Sequence, residues 1–292
     1  MKFDIVVLVK QVPDTQNITG QAMKEDGTVN RSALPAIFNP EDLHALEAAL
    51  TLKDRYPGTI VTVLTMGPPA AVQVLKDALY RGADKVALIS DKRFAGADTL
   101  ATSYALKSAI VNKVRRFDLV ICGRQAIDGD TAQVGPQTAE KLGINQITYV
   151  SDIKEITEKT ITCRRTIEGG YEIVKSPLPC LLTVTDEGFM PRPPSVKLMM
   201  ANKNASIAGI DDKYDESYIE TAKKLGKTLL IELWDVEVIG ADPGQCGLAG
   251  SPTKVKKIES VVLKSSEMKN IPPTEEGISQ MIHELIIDHT LG

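Results

Sequence analysis

Aromatic side chains make up only 4% of this 292-residue sequence, with a single tryptophan, and so few rings exclude a base-stacking platform for single-stranded nucleic acid. An excess of positive charge is missing too. The 34 Lys and Arg stand against 38 Asp and Glu, a formal net charge of -4, which leaves no basic field to hold a phosphate backbone or an anionic membrane surface. Cysteine is scarce: Cys122, Cys163, Cys180 and Cys246 are far apart, form no C-x-x-C pair and have no histidine at metal-ligand spacing. Zinc and dithiol redox chemistry are thereby set aside, and reduced, mostly buried thiols are expected. Long hydrophobic runs are absent near the start, where only five apolar residues (5–9) follow Asp4, far short of a signal h-region or a span of ~20 residues. A cytoplasmic location with no direct membrane insertion is the expectation.

The usual motifs of nucleotide and hydrolase chemistry are missing as well. No G-x-G-x-x-G follows a strand-like run, and no H-E-x-x-H or G-x-S-x-G occurs. Gly226-Lys227-Thr228 resembles the end of a phosphate-binding loop, yet Thr221 stands where the earlier glycine belongs. His44, His283 and His289 read as ordinary helical histidines. Asp211, Asp212, Asp215 and Glu216 read as a solvated acidic surface, with no metal site.

What is present is an ordinary globular balance, 43% hydrophobic and 25% charged, built on aliphatic residues. Continuous apolar runs at 5–10, 59–66, 85–90, 118–122 and 147–150 alternate with helical stretches at 40–56, 69–81, 98–115 and 131–142, the pattern of strands covered on both faces. Asn39 is placed to cap the first helix, with Pro40, Glu41 and Asp42 in its opening turn. These features specify an α/β, Rossmann-like doubly wound, mainly parallel sheet. Segments at 153–157, 160–166 and 171–174, the last two joined through Glu168-Gly169-Gly170, add an antiparallel extension. Prolines from Pro177 to Pro194 then interrupt the chain, and 188–205 reads as an irregular excursion. Residues 1–235 are expected to form the α/β domain, and 236–292 a C-terminal arm that packs on another chain.

Three strand ends carry small or polar residues that a parallel sheet would set along one crevice: 10–14, 66–69 and 123–135. The third reads GRQAIDGDTAQVG. Gly123 and Gly129 would let the backbone approach a ligand, Arg124 and Gln125 open the loop, and main-chain N–H groups near Thr131 and Gln133 could hold a pyrophosphate. Asp128 and Asp130 would repel one unless they face hydroxyls, amides or solvent. The alternative is a polar loop with a helix cap.

The runs Val9-Lys10-Gln11-Val12-Pro13-Asp14, Asn39-Pro40-Glu41-Asp42, Thr65-Met66-Gly67-Pro68, GRQAIDGDTAQVGP (123–136), RTIEGGYEIVKSPLPCLLT (165–183) and Gly250-Ser251-Pro252-Thr253 together resemble the electron transfer flavoprotein β subunits along almost the whole chain. The resemblance implies a heterodimer with an α subunit that carries FAD, and nucleotide contacts at Leu8, Asn39, Asp42, Met66, Gly123, Asp128, Asp130, Thr131, Ala132, Gln133 and Val134. In the simple branch of the family that nucleotide is AMP. In the bifurcating branch it is a second FAD, reduced by NADH, with electrons sent singly to ferredoxin or flavodoxin and, through the α-subunit FAD, to an acyl-CoA dehydrogenase-type or quinone-linked acceptor. The 128–136 run resembles the bifurcating branch more. Simple electron transfer around a structural AMP, and a nucleotide-binding scaffold without redox activity, are the alternatives. The family's dehydrogenase-docking loop would fall near Val196, Leu198 and Met199, though simple packing accounts equally for Leu198, Met199 and Met200. No catalytic acid, base or metal ligand is implied in this chain.

Overall fold

The computed structural model describes residues 1–14, 34–207, 230–253 and 270–287. The first strand, β1 (Asp4–Val9), is followed by a small antiparallel pair, β2 (Gln11–Pro13) and β3 (Ala36–Phe38), and then by α1 (Pro40–Arg55). Next come β4 (Ile60–Met66), α2 (Val72–Arg81), β5 (Lys85–Ile89), α3 (Thr99–Ala109), β6 (Leu119–Gly123) and α4 (Val134–Leu142) in alternation. After them lie β7 (Asn145–Ile156), β8 (Thr160–Ile167), β9 (Gly170–Pro177) and β10 (Cys180–Val184). The remaining described elements are α5 (Val196–Asn202), β11 (Ser206–Ile207), β12 (Leu230–Trp234) and α6 (Glu275–Ile287).

Ten of these strands form one sheet in the order β11-β12-β5-β4-β1-β6-β10-β7-β8-β9. Pairing is parallel from β11 to β7 and antiparallel only at β7·β8 and β8·β9. The continuous apolar runs follow from this geometry. Along β1, Ile5, Val7 and Val9 join the core under α1 and α2, while Val6 and Leu8 join a second core with α3 and α4 on the opposite face. Both faces are covered, so no polar alternation survives.

Several expectations are corrected. The expected segments 147–150 and 153–157 belong to one long strand, β7. Residues 180–184, within the stretch that prolines were expected to interrupt, form a central strand. Pro177 closes β9 and Pro179 immediately precedes β10, so these prolines bound strands instead of excluding them. The five residues of β10 are all buried, as a strand between β6 and β7 must be. The excursion at 188–205 contains the short helix α5. A π-helical turn, Ile110–Val114, ends the α3 segment. Asn39 precedes α1 without capping it through its side chain. The Gly226-Lys227-Thr228 run, the acidic cluster at 211–216 and His289 lie outside the described residues.

Residues beyond β12 return to the sheet: Val236, Ile239, Ala241 and Cys246 are buried in the α3/α4 core. By contrast α6 leaves Ile278, Ile282, Ile286 and Ile287 exposed, the first three at a spacing that places them on one stripe. All four cysteines are free and buried. Among the described residues no helix is long and apolar enough to cross a membrane.

Candidate functional site

A cavity of about 630 Å³ opens at the carboxyl ends of β1, β4 and β6, the place where open α/β sheets bind ligands, and within the usual size range for small-molecule pockets. Leu8 and Met66 supply apolar surface from two strand ends. The loop after β6 contributes Gly123, Arg124, Gln125, Gly129 and Asp130, then Thr131, Ala132, Gln133 and Val134 at the approach to α4.

Two sequence-predicted residues lie behind this surface. The side chain of Asn39, fully buried, donates to Gln125 O at 2.9 Å and accepts from Ile127 N–H at 3.2 Å. It clasps the loop from beneath, which is why it leaves the helix uncapped. Asp128, which is not among the cavity-lining residues, accepts from Lys10 Nζ with both oxygens, at 2.7 and 2.8 Å, so its charge is matched. Asp130 takes the amide of Gln125 at 2.9 Å. The repulsion expected from these two carboxylates is therefore reduced by their partners.

Asp42 lines the cavity yet is only 6% exposed. Its oxygens accept from the Lys10 N–H at 2.8 Å and the Gly123 N–H at 3.0 Å, tying the ends of β1 and β6 together. Burial raises its carboxyl to about 7, against the downward pull of hydrogen bonds from Asn39, Gly123 and Lys10 and of the Lys10 charge. The tie requires glycine at position 123: a Cβ there would stand 2.6 Å from Asp42 Oδ1 and 2.7 Å from the Glu41 carbonyl carbon. At Gly135 a Cβ would meet Cys122 Sγ at 2.8 Å, so glycine lets α4 press against β6. Position 129 is different, since a Cβ there meets nothing within 4 Å.

The cavity's capacity for an anion resides in the main chain. Lys10 is paired with Asp128, and Arg124 with Glu41 at 2.6 Å. Asp130 and Ala132 both have positive φ, 47° and 51°, and such turns can gather successive N–H groups into an anion-binding concavity. Helix α4 begins at Val134, three residues later than expected, and has no side-chain cap, so its first N–H groups and positive dipole end remain available. Thr131 therefore belongs to the turn before the helix. These features fit a phosphate or pyrophosphate. The start of α3, in contrast, is already capped by Asp98 Oδ1, which accepts from the N–H groups of Leu100 and Ala101.

A further wall escaped the sequence reading. Phe94, Ala97, Asp98, Thr99 and Thr102, from the β5–α3 connection and α3, face the loop after β6, and Thr253 joins them. Thr99 Oγ1 donates to Gln133 Oε1 at 2.9 Å and bridges the two sides. The available signals were the capping pattern Asp98-Thr99, a short loop after the strand-like run at 85–90, and the Gly250–Thr253 motif.

The residues expected to dock a partner, Val196, Leu198 and Met199, are not among those that line this cavity. On α5, Val196 and Met199 are exposed and Leu198 is half-buried. The segment before α5 is fastened to α1 and α2: Arg192 bonds Glu47 at 2.8 Å and Asp54 at 2.8 Å, the Arg81 guanidinium donates to Arg192 O, and Ser195 N–H donates to Tyr80 O. His44 Nδ1 lies 2.8 Å from Phe189 O and holds the same segment rather than a ligand. Among the described residues no acidic, histidine or cysteine cluster could hold a metal ion.

The electron transfer flavoprotein domain model matches residues 26–213. Over 288 residues the chain is 41% identical to the caffeyl-CoA reductase-Etf complex subunit CarD of Acetobacterium woodii, covering 99% of this chain and 95% of that one. It is 42% identical over 286 residues to the electron transfer flavoprotein subunit beta of Clostridium acetobutylicum, with 98% and 99% covered. It is 40% identical over 288 residues to Protein FixA of Sinorhizobium fredii, with 97% and 92% covered.

Proposed function

The chain belongs to the electron transfer flavoprotein β-subunit family, and from that premise we propose that its crevice holds FAD and receives electrons from NADH, within a heterodimer with an α subunit. The observation that carries this reading is the two-part cavity. One part, around residues 129–134, offers main-chain donors and an uncapped helix start suited to a pyrophosphate. The other, from Phe94 to Thr102 with Thr253, extends the cavity beyond that cradle and supports a ligand longer than a mononucleotide.

When bound, FAD supplies the redox chemistry, and the protein supplies orientation and electrostatics. Gly129, Asp130, Thr131, Ala132, Gln133 and Val134 cradle the phosphates, while Leu8 and Met66 exclude water from one side. Asp42 and Asn39 act behind the surface by fixing the β1 and β6 ends and the intervening loop. No side chain of this chain is assigned as an acid or base.

The isoleucine stripe of α6 is the proposed contact with the α subunit, in keeping with an arm that leaves apolar surface uncovered on this chain. With FAD bound in both subunits, the acceptors would be ferredoxin or flavodoxin and, on the α-subunit side, an acyl-CoA dehydrogenase-type or quinone-linked protein, which Val196, Leu198 and Met199 would dock. A cytoplasmic site of action accords with these partners.

The test is to co-express the chain with its α partner and count nucleotides per heterodimer. About two flavins, with absorbance bleached by NADH, are expected by the stoichiometry just given. One flavin with one AMP would replace this reading with simple electron transfer, and no flavin at all would leave a nucleotide-binding scaffold.

A further inference from the structure

The wall formed by the β5–α3 connection is sewn to the strap of residues 242–253. Leu248 N–H donates to Ala95 O at 3.2 Å. Ser251 Oγ accepts from Asp98 N–H at 2.8 Å and donates to Gly247 O at 2.6 Å. Thr253 donates twice to Asp98 Oδ2, from its N–H at 3.1 Å and its hydroxyl at 2.7 Å. Asp98 therefore divides its oxygens between the start of α3 and the end of the strap. Ser251 is 7% exposed and is not among the cavity-lining residues, whereas Asp98 and Thr253 are.

We propose that Ser251 is a positioning residue for nucleotide retention: its hydroxyl staples the strap to the β5–α3 connection and so fixes the wall opposite the 123–135 loop, without touching the ligand. This rests on the nucleotide-binding reading of the same cavity. The physical reason is the cost of an unmade bond. Removing the hydroxyl leaves the part-buried Asp98 N–H without its acceptor and the Gly247 carbonyl without its donor, a penalty that is relieved when strap and connection separate and admit water. The wall then loosens on the side where the ligand extends past the phosphate cradle, while the sheet and its two cores are unchanged.

The heterodimer provides the test, with FAD and AMP released into a filtrate counted by chromatography over time. Ser251→Ala is expected to speed release of the nucleotide held by this chain about tenfold, the size of one or two lost hydrogen bonds. Ser251→Thr, which keeps the hydroxyl, is expected to release it like the wild type. Ser108→Ala serves as the control: Ser108 is 3% exposed on α3, donates to Tyr104 O at 2.9 Å and lies off the cavity. It should match the wild type in release. Wild-type release from Ser251→Ala overturns the staple while the nucleotide reading stands; a wild-type complex whose β chain holds neither FAD nor AMP overturns both. Should Ser251→Ala give no soluble complex, Ser251→Cys takes its place, whose thiol is a weaker donor and acceptor than the hydroxyl, with roughly threefold faster release expected and unchanged release overturning the proposal.

Discussion

Replacing Asp42 by asparagine should change how stability depends on pH. Burial raises this carboxyl from 3.8 to about 7, so the folded chain keeps a proton over a range in which the unfolded chain has released it. The folded state therefore binds more protons between those values, and stability falls as pH rises from the unfolded value through the folded one. At ~1.4 kcal/mol per decade the limiting loss is roughly 4 kcal/mol, and about 2 to 3 kcal/mol of it falls between about pH 5 and pH 8. The amide of Asp42→Asn cannot accept from both the Lys10 and Gly123 N–H groups, since its nitrogen must face one of them. That mismatch costs about 1 to 3 kcal/mol at every pH. Urea denaturation followed by circular dichroism should thus show a wild type that weakens with rising pH and a variant that lacks this component, their curves converging toward pH 8. Parallel curves would refute the assignment of this titration to Asp42.

Other substitutions probe separate parts of the structure. Gly123→Ala should cost about 1 to 3 kcal/mol in a thermal melt, because the new Cβ meets Asp42 and Glu41. At Gly129 an added Cβ meets no protein atom within 4 Å, so for Gly129→Val stability should stay within about 0.5 kcal/mol while calorimetry shows weaker nucleotide binding. Equal binding would count against a close main-chain approach there. Arg192→Met should lower the melting temperature by stranding Glu47, whose side chain is 11% exposed, at about 1 to 3 kcal/mol. Ile282→Asp combined with Ile286→Asp should abolish co-purification of the α subunit and leave the fold of this chain intact by circular dichroism.

The parallel half of the fold was legible because both sheet faces are covered, which turns strands such as 5–9 and 119–123 into unbroken apolar runs. The apolar run at 180–184 obeys the same rule but was passed over, because flanking prolines suggested a break. No local feature could say that this late segment inserts between β6 and β7, since that follows from the long-range pairing of Leu181 with Val120 and Gln146. The cavity-lining loop after β6 was legible from its glycines and its place after a strand. The site of the helix start was not, because the positive φ at Asp130 and Ala132 occurs at residues whose identities do not demand it. Phe94 to Thr102 and Thr253 stayed hidden because cavity walls assemble from segments remote in sequence, and only the strand ends at 10–14, 66–69 and 123–135 drew attention by composition. Asn39 was expected to cap α1, and its bonds to Gln125 and Ile127 across the loop explain why it does not.

The late insertion of β10 also dictates an order of events during synthesis. Until residue 184 has left the ribosome, β6 has no neighbour on its outer side and β7 has no parallel mate, so the growing polypeptide carries a gap through its middle. The β7–β8–β9 meander, whose contacts are local, can form early and wait, whereas the loop after β6 gains its final support only when Arg124 N–H reaches Val184 O. The cavity at the strand ends is consequently complete only in the finished sheet, and a nascent chain arrested short of that point presents two adhesive strand edges to chaperones.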